Sequence, residues 1–119
     1  EANRASMNRR PPPPFPPGRP TRFRVTVHGT VFGTRASHVA RLRPGDRLLL
    51  VPGPPVEPEP GVWIHDTSGN VIGHLPPEVA EWLAPWMLRG GRAVASVLRV
   101  HGHEVPSWRR LLIEVTCFS

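Results

Sequence analysis

Apolar and polar residues alternate from residue 23 onward: Phe23, Val25 and Val27 are spaced by Arg24, Thr26 and His28. Period two belongs to a strand with one buried face and predicts a first strand over Phe23–Phe32. Gly29 interrupts it where a bulge or barrel bend would fit. Val31 then continues one face, Phe32 points to the other, and Gly33 ends the element. Residues 33–47 read as a connection with one helical turn at Ser37–Leu42 and a tight turn at Arg43-Pro44-Gly45-Asp46. The second strand, Arg47–Val51, is apolar at Leu48, Leu49 and Leu50 in succession, which predicts cover on both faces. Residues 52–61 hold five prolines; with five backbone donors missing, they form a stiff surface loop.

A hairpin follows. Val62–Asp66 and Val71–Leu75 flank Thr67-Ser68-Gly69-Asn70, a four-residue turn by composition. Val62 and Ile64 face inward, with Trp63 and His65 on the other side. The period then changes. Val79, Trp82, Leu83, Trp86 and Met87 recur at helical spacing behind Pro76 and Pro77, which suit a helix start. Glu78 and Glu81 favour the positive helix end, Gly90 is a C-terminal stop, and Pro85 should kink or split the helix. Ala93–Val100 and Leu111–Phe118 supply two closing strands around the loop HGHEVPSWRR. Six strands with a helical insertion between the fourth and fifth make a mainly β chain, a small antiparallel barrel.

The pattern starts late. Residues 1–20 lack apolar periodicity and contain a run of four prolines, so they read as a disordered Pro/Arg-rich tail beside a domain at 21–119. Met7 is a candidate start residue, with residues 1–6 an addition or an upstream extension. The tail should sample polyproline II geometry. It is either a solvated leader or a segment that docks in an aromatic groove on a protein partner.

The formal net charge is +6 and all 15 basic residues are Arg. Guanidinium forks suit phosphates and base edges, but GC-rich coding would enrich Arg, Pro, Ala and Gly together. Either way, a basic domain attracts polyanions, and more weakly as salt rises. The one cysteine, Cys117, lies in the apolar run LLIEVTCF and reads as a core residue. It leaves no internal disulfide. No apolar run approaches the roughly 18 residues of a membrane span, and no signal-peptide pattern is present. The expectation is a soluble cytoplasmic protein with no small-molecule substrate and no cofactor.

Residues 62–91, VWIHDTSGNVIGHLPPEVAEWLAPWMLRGG, resemble the centre of a HIRAN domain. In that family a strand passes through a Gly-containing turn to Ile-Gly-(Tyr or His)-Leu-Pro and then a helix of the type Glu-aliphatic-Ala … Leu-Ala-Pro-Leu. The matching residues are Gly69, Ile72–Pro76, Glu78–Ala80 and Leu83–Pro85. Val27, Gly29 and Phe32 resemble the family's first strand; Gly45, Asp46 and Leu48–Val51 resemble its second. The resemblance implies an OB-like barrel that binds DNA, capturing single strands at a 3′-hydroxyl end. The family's pocket takes aromatic and basic residues from the end of the first strand, an Asn-Pro-Tyr-Asp segment before the third, and residues beside the Gly-His-Leu corner. This chain departs twice: Val31 stands where the family has Arg, and Val56-Glu57-Pro58-Glu59-Pro60 replaces Asn-Pro-Tyr-Asp.

DNA binding by a barrel needs cations for phosphates and exposed rings for bases. Arg35, His38, Arg41, Arg43 and Arg47 are the candidate cations, or else a solvated loop. Phe32 is a stacking platform or a core residue. Trp63 is a second platform or packs on the Trp82–Trp86 helix face. His74 can reach a phosphate near the helix N-terminus or cap locally. Arg109 and Arg110 extend the basic surface or are merely solvated. Six histidines raise the question of a metal, but there is no H-x-x-x-H and no Cys pair. No paired carboxylates, nucleophile elbow or phosphate-binding loop points to catalysis. The alternative is a protein-interaction module that docks a larger DNA-processing complex.

Overall fold

The computed structural model describes residues 13–53 and 61–118. Its strands are β1 (Arg22–Thr26), β2 (Arg47–Pro52), β3 (Val62–His65), β4 (Val71–His74), β5 (Arg92–Val100) and β6 (Leu111–Phe118); its helices are α1 (Arg35–Ala40) and α2 (Pro77–Leu88). The strands form one antiparallel sheet in the order β1-β6-β5-β2-β3-β4. The sheet curls into a half-barrel, with α2 between β4 and β5 as the patterning predicts. Register shifts between Ile64 and His65 and between Val97 and Arg99 add local twist of the kind that bends a sheet.

The curl brings the two edge strands together. Just beyond β1, the His28 amide donates to the His74 carbonyl and the His74 amide to the His28 carbonyl, both at 2.9 Å. Gly73 permits this approach: a Cβ there would run into the His28 carbonyl oxygen and the Val27 side chain. The concave side is filled by the inward positions. Val27, Val62, Ile64, Ile72, Leu83, Trp86, Leu111, Ile113 and Val115 have no solvent exposure, as the period-two and helical patterns require. Cys117 is buried there too, and desolvation pushes its thiol up to about 11. No helix among the described residues is long and apolar enough to cross a membrane.

Four expectations change. The first strand ends at Thr26, not Phe32, because the chain takes a positive φ of 70° at Gly29 and turns away through Thr30–Thr34. The helical turn starts two residues earlier, at Arg35. β2 is covered on one face only: Leu48 is buried, whereas Leu49 and Val51 are 45% and 39% exposed. Run length alone cannot distinguish a doubly covered strand from one whose outer face happens to be apolar. Finally, α2 runs unbroken through Pro85. Proline leaves the Glu81 carbonyl without its helical donor, and exposed Glu81 can turn that carbonyl to water. The proline-rich loop expected at 52–61 falls largely outside the described residues, as do residues 1–12.

The β3–β4 turn is held by Asp66, whose carboxylate accepts from the Ser68 amide (3.0 Å), the Asn70 amide (2.8 Å) and the Asn70 side chain (3.0 Å). Partial burial opposes ionisation, but the hydrogen bonds from Asn70 and Ser68, with His38 nearby, hold this carboxyl below the ordinary carboxylate range. A depressed native pKa stabilises the fold fully above the unfolded value and progressively less as pH falls through the native one. Urea midpoints should therefore hold from neutral pH to about 4.5 and drop below it. Asp66→Ala should cost about 1 kcal/mol at neutral pH and flatten part of the acid dependence.

Candidate nucleic-acid interface

The loop leaving Gly29 presents Phe32 to solvent, 61% exposed. Its carbonyl accepts the Arg35 amide at 3.0 Å, a turn that starts α1 with Arg35 facing back over the loop. Arg35 Nη1 donates to the Gly29 carbonyl at 2.9 Å. The guanidinium carbon then lies 5.5 Å from the centroids of both the Phe32 and the Trp63 rings, within cation–π range of each.

Trp63 reaches this place because it points outward from β3, opposite His74 of β4. The two rings meet edge to face at 5.8 Å. On its other side the His74 ring approaches His28 at 6.1 Å. His74 Nδ1 lies 3.1 Å from the Leu75 carbonyl oxygen, a contact in which the ring donates when Nδ1 carries the proton. Nε2 is directed toward Gly29, where an added Cβ would stand 2.8 Å from it and 3.4 Å from Arg35 Nη1. Gly29 thus supplies both the bend and the space in which Arg35 and His74 close over the backbone. Beside this cluster opens a cleft of about 430 Å³, walled by Phe32, Arg35, His38 and the Gly69–Val71 end of the hairpin turn, with no acidic residue among the described residues that line it.

Of the residues expected from sequence, Phe32, Arg35, Trp63 and His74 come together, with His38 in the adjoining wall. Phe32 is not a core residue, and Trp63 does not pack on the α2 face: the indoles of Trp82 and Trp86 meet Phe15 and Phe23 instead. Arg41 closes α1 and Arg43 opens the turn into β2, where its amide is held by Asp46 at 2.8 Å; neither lines the cleft. Arg47 pairs with Ser96 and borders a different cavity with Val94, Glu114 and Phe118. Arg109 lies in the turn before β6, and Arg110 borders a third cavity of about 330 Å³ with His101 and His103. Sequence reading did not find His28, nor the role of Asn70 as a wall. The Asp-x-Ser-Gly-Asn spacing was the available signal for Asn70; nothing local marked His28. No three potential metal ligands cluster among the described residues. The Val56–Pro60 span, in place of the family's Asn-Pro-Tyr-Asp, lies outside the described residues.

The HIRAN domain model matches residues 22–117, nearly the whole chain. The chain belongs to the HIRAN family. HIRAN domains are in general DNA-binding modules, and this HIRAN domain gathers its exposed Phe32 and Trp63 rings and Arg35 beside the Gly-His-Leu corner. No curated protein and no solved structure gives a significant match.

Proposed function

We propose that this HIRAN domain binds single-stranded DNA, at a 3′ end, through Phe32, Arg35, Trp63 and His74, and that it serves DNA repair or processing without catalysing a reaction itself. The observation that carries this reading is the Arg35 guanidinium within 5.5 Å of both the exposed Phe32 ring and the half-exposed Trp63 ring. Rings accept the faces of unpaired bases, at roughly 1–3 kcal/mol per stacked base. An arginine held by ring faces and one carbonyl keeps further N–H groups for a phosphate. Acids lining the cleft would repel the backbone; among the described residues none lines it, and the nearby Asp66 carboxylate is engaged by the Ser68 amide and by Asn70. Arg41, Arg43 and Arg47 add to the attractive field over longer range rather than to the patch.

The test is titration of a labelled oligothymidylate at 50 and 200 mM salt. Neutralising two or three single-strand phosphates predicts roughly tenfold weaker binding at the higher salt. A 3′-phosphate in place of the 3′-hydroxyl should weaken binding further. Absent or salt-independent binding overturns the DNA reading, and equal affinity for both ends overturns the end specificity alone. A second reading, a protein-docking module of a DNA-processing complex, is favoured by the outer sheet face, where Leu49, Val51, Val94 and Phe118 are all exposed.

A further inference from the structure

A second aromatic cluster, sharing no residue with the DNA patch, lies on α2. Trp82 and Trp86, one turn apart, are flanked by Phe23, whose ring is 5.6 Å from Trp82. Gly91 is flat against the Trp86 indole, and any side chain there would collide with the ring. The cluster is a groove with an occupant. The Phe15 ring enters it edge-on, 5.8 Å from Trp82 at 83° and 5.1 Å from Trp86 at 87°. Trp86 Nε1 donates to the Pro13 carbonyl at 3.4 Å. Arg19 covers the outer edge, its guanidinium 5.7 Å from the Trp82 ring. The occupant, Pro-Pro-Phe-Pro at 13–16, lies outside the family-matched residues 22–117 and inside the stretch whose sequence reads as a leader.

We propose that the Trp82–Trp86 face of α2 is a peptide-binding site, separate from the DNA patch, that takes an extended proline–phenylalanine segment and is held in cis by the chain's own residues 13–16. The chemistry of recognition is visible in the bound segment. Proline pre-sets an extended backbone that loses little entropy on docking and leaves its carbonyls free. One carbonyl takes the indole N–H, which would otherwise be unpaired. One ring fills the slot between two indoles. A partner protein that presents proline beside phenylalanine offers the same three features and competes for the groove. The cis segment acts as a tethered competitor at an effective concentration in the millimolar range, so the site opens fully only when that segment is displaced.

The experiment uses the full chain and a peptide of residues 11–19, with a control peptide carrying alanine for phenylalanine, followed through the Trp86 indole N–H resonance and tryptophan emission. In Phe15→Ala the peptide should give a saturable shift, at least about tenfold tighter than on the wild-type chain, and the control peptide none. On the wild-type chain, millimolar peptide should move the same resonance toward the same end point, which tests the site even if Phe15→Ala folds poorly. Trp86→Phe, which keeps a ring and loses the donor, should weaken the peptide severalfold. No saturable shift in either chain overturns the proposal and leaves Phe15 as internal packing. A wild-type chain that dimerises while Phe15→Ala stays monomeric overturns the cis arrangement in favour of segment exchange between two copies. DNA titration of the same samples should be unchanged.

Discussion

Arg35→Ala should weaken single-stranded DNA binding by about 10- to 100-fold at low salt, the equivalent of roughly 1.4–2.8 kcal/mol. Three losses combine. The substitution removes the charge proposed to meet a phosphate. It removes the hydrogen bond to the Gly29 carbonyl that shapes the loop. It also removes the cation that lies 5.5 Å from both the Phe32 and the Trp63 ring centroids. Because one phosphate contact disappears, the slope of log K against log salt should become shallower by about 0.7. Arg35→Lys keeps the charge but not the planar fork, and should fall between the two. The informative control is Arg47→Ala. Arg47 borders the Val94–Phe118 cavity rather than the Phe32 cleft, so its loss should change affinity by no more than about threefold, the effect of a distant charge partly screened by salt. Equal losses in the two variants, read by fluorescence anisotropy, would mean that affinity comes from diffuse basic charge and not from this patch.

This contrast marks where sequence reading stops. Alternation along Phe23–Val27, Val62–Ile64 and Leu111–Cys117 is a local property; the sheet honours it residue by residue along the last two and ends the first with Val27 buried. The helix at Pro77–Leu88 follows from its own spacing in the same way. Arg35, Arg41, Arg43 and Arg47 look equivalent in sequence, because all four lie in one polar connection. What separates them is rotation about α1 and entry into β2, which turns Arg35 toward Trp63 and Arg47 toward Ser96. That depends on strand register far along the chain, which no local pattern encodes. The face of Phe32 is undecidable from sequence for a related reason: once Gly29 takes a positive φ, the period-two rule no longer applies. Phe15 is the converse case. Its surroundings are proline-rich and read as tail, yet a single ring placed between two indoles docks the segment on the domain. Composition averages over a segment, whereas docking is decided by one or two anchors.

The largest stability effect is expected at Gly73, and it should carry function with it. Its position in β4 faces the stretch beyond β1, where a methyl group would meet the His28 carbonyl oxygen and Val27 Cγ1. Neither neighbour can yield cheaply. The carbonyl is a backbone atom already bonded to the His74 amide at 2.9 Å, and Val27 is wholly buried. Overpacking of this kind costs typically 1–3 kcal/mol. Parting the seam would also forfeit the two His28–His74 hydrogen bonds, each worth about 1 kcal/mol. Gly73→Ala should therefore destabilise the domain by about 3 kcal/mol, a fall in Tm on the order of 12–24 °C for a unit of this size. The same seam positions the patch: Gly29 and Phe32 leave from one side of it, and His74 stands on the other, turned toward Gly29. DNA affinity measured at a temperature where Gly73→Ala remains folded should thus fall as well, by about tenfold, the loss of roughly one stacked base. Gly69→Ala provides the comparison, since Gly69 also has a positive φ but open space around its Cβ position. It should strain the turn by about 1 kcal/mol and leave the seam intact. If Gly73→Ala melts like wild type, the seam is soft, and the edge-to-edge hydrogen bonds are not what fixes the spacing between Phe32 and His74.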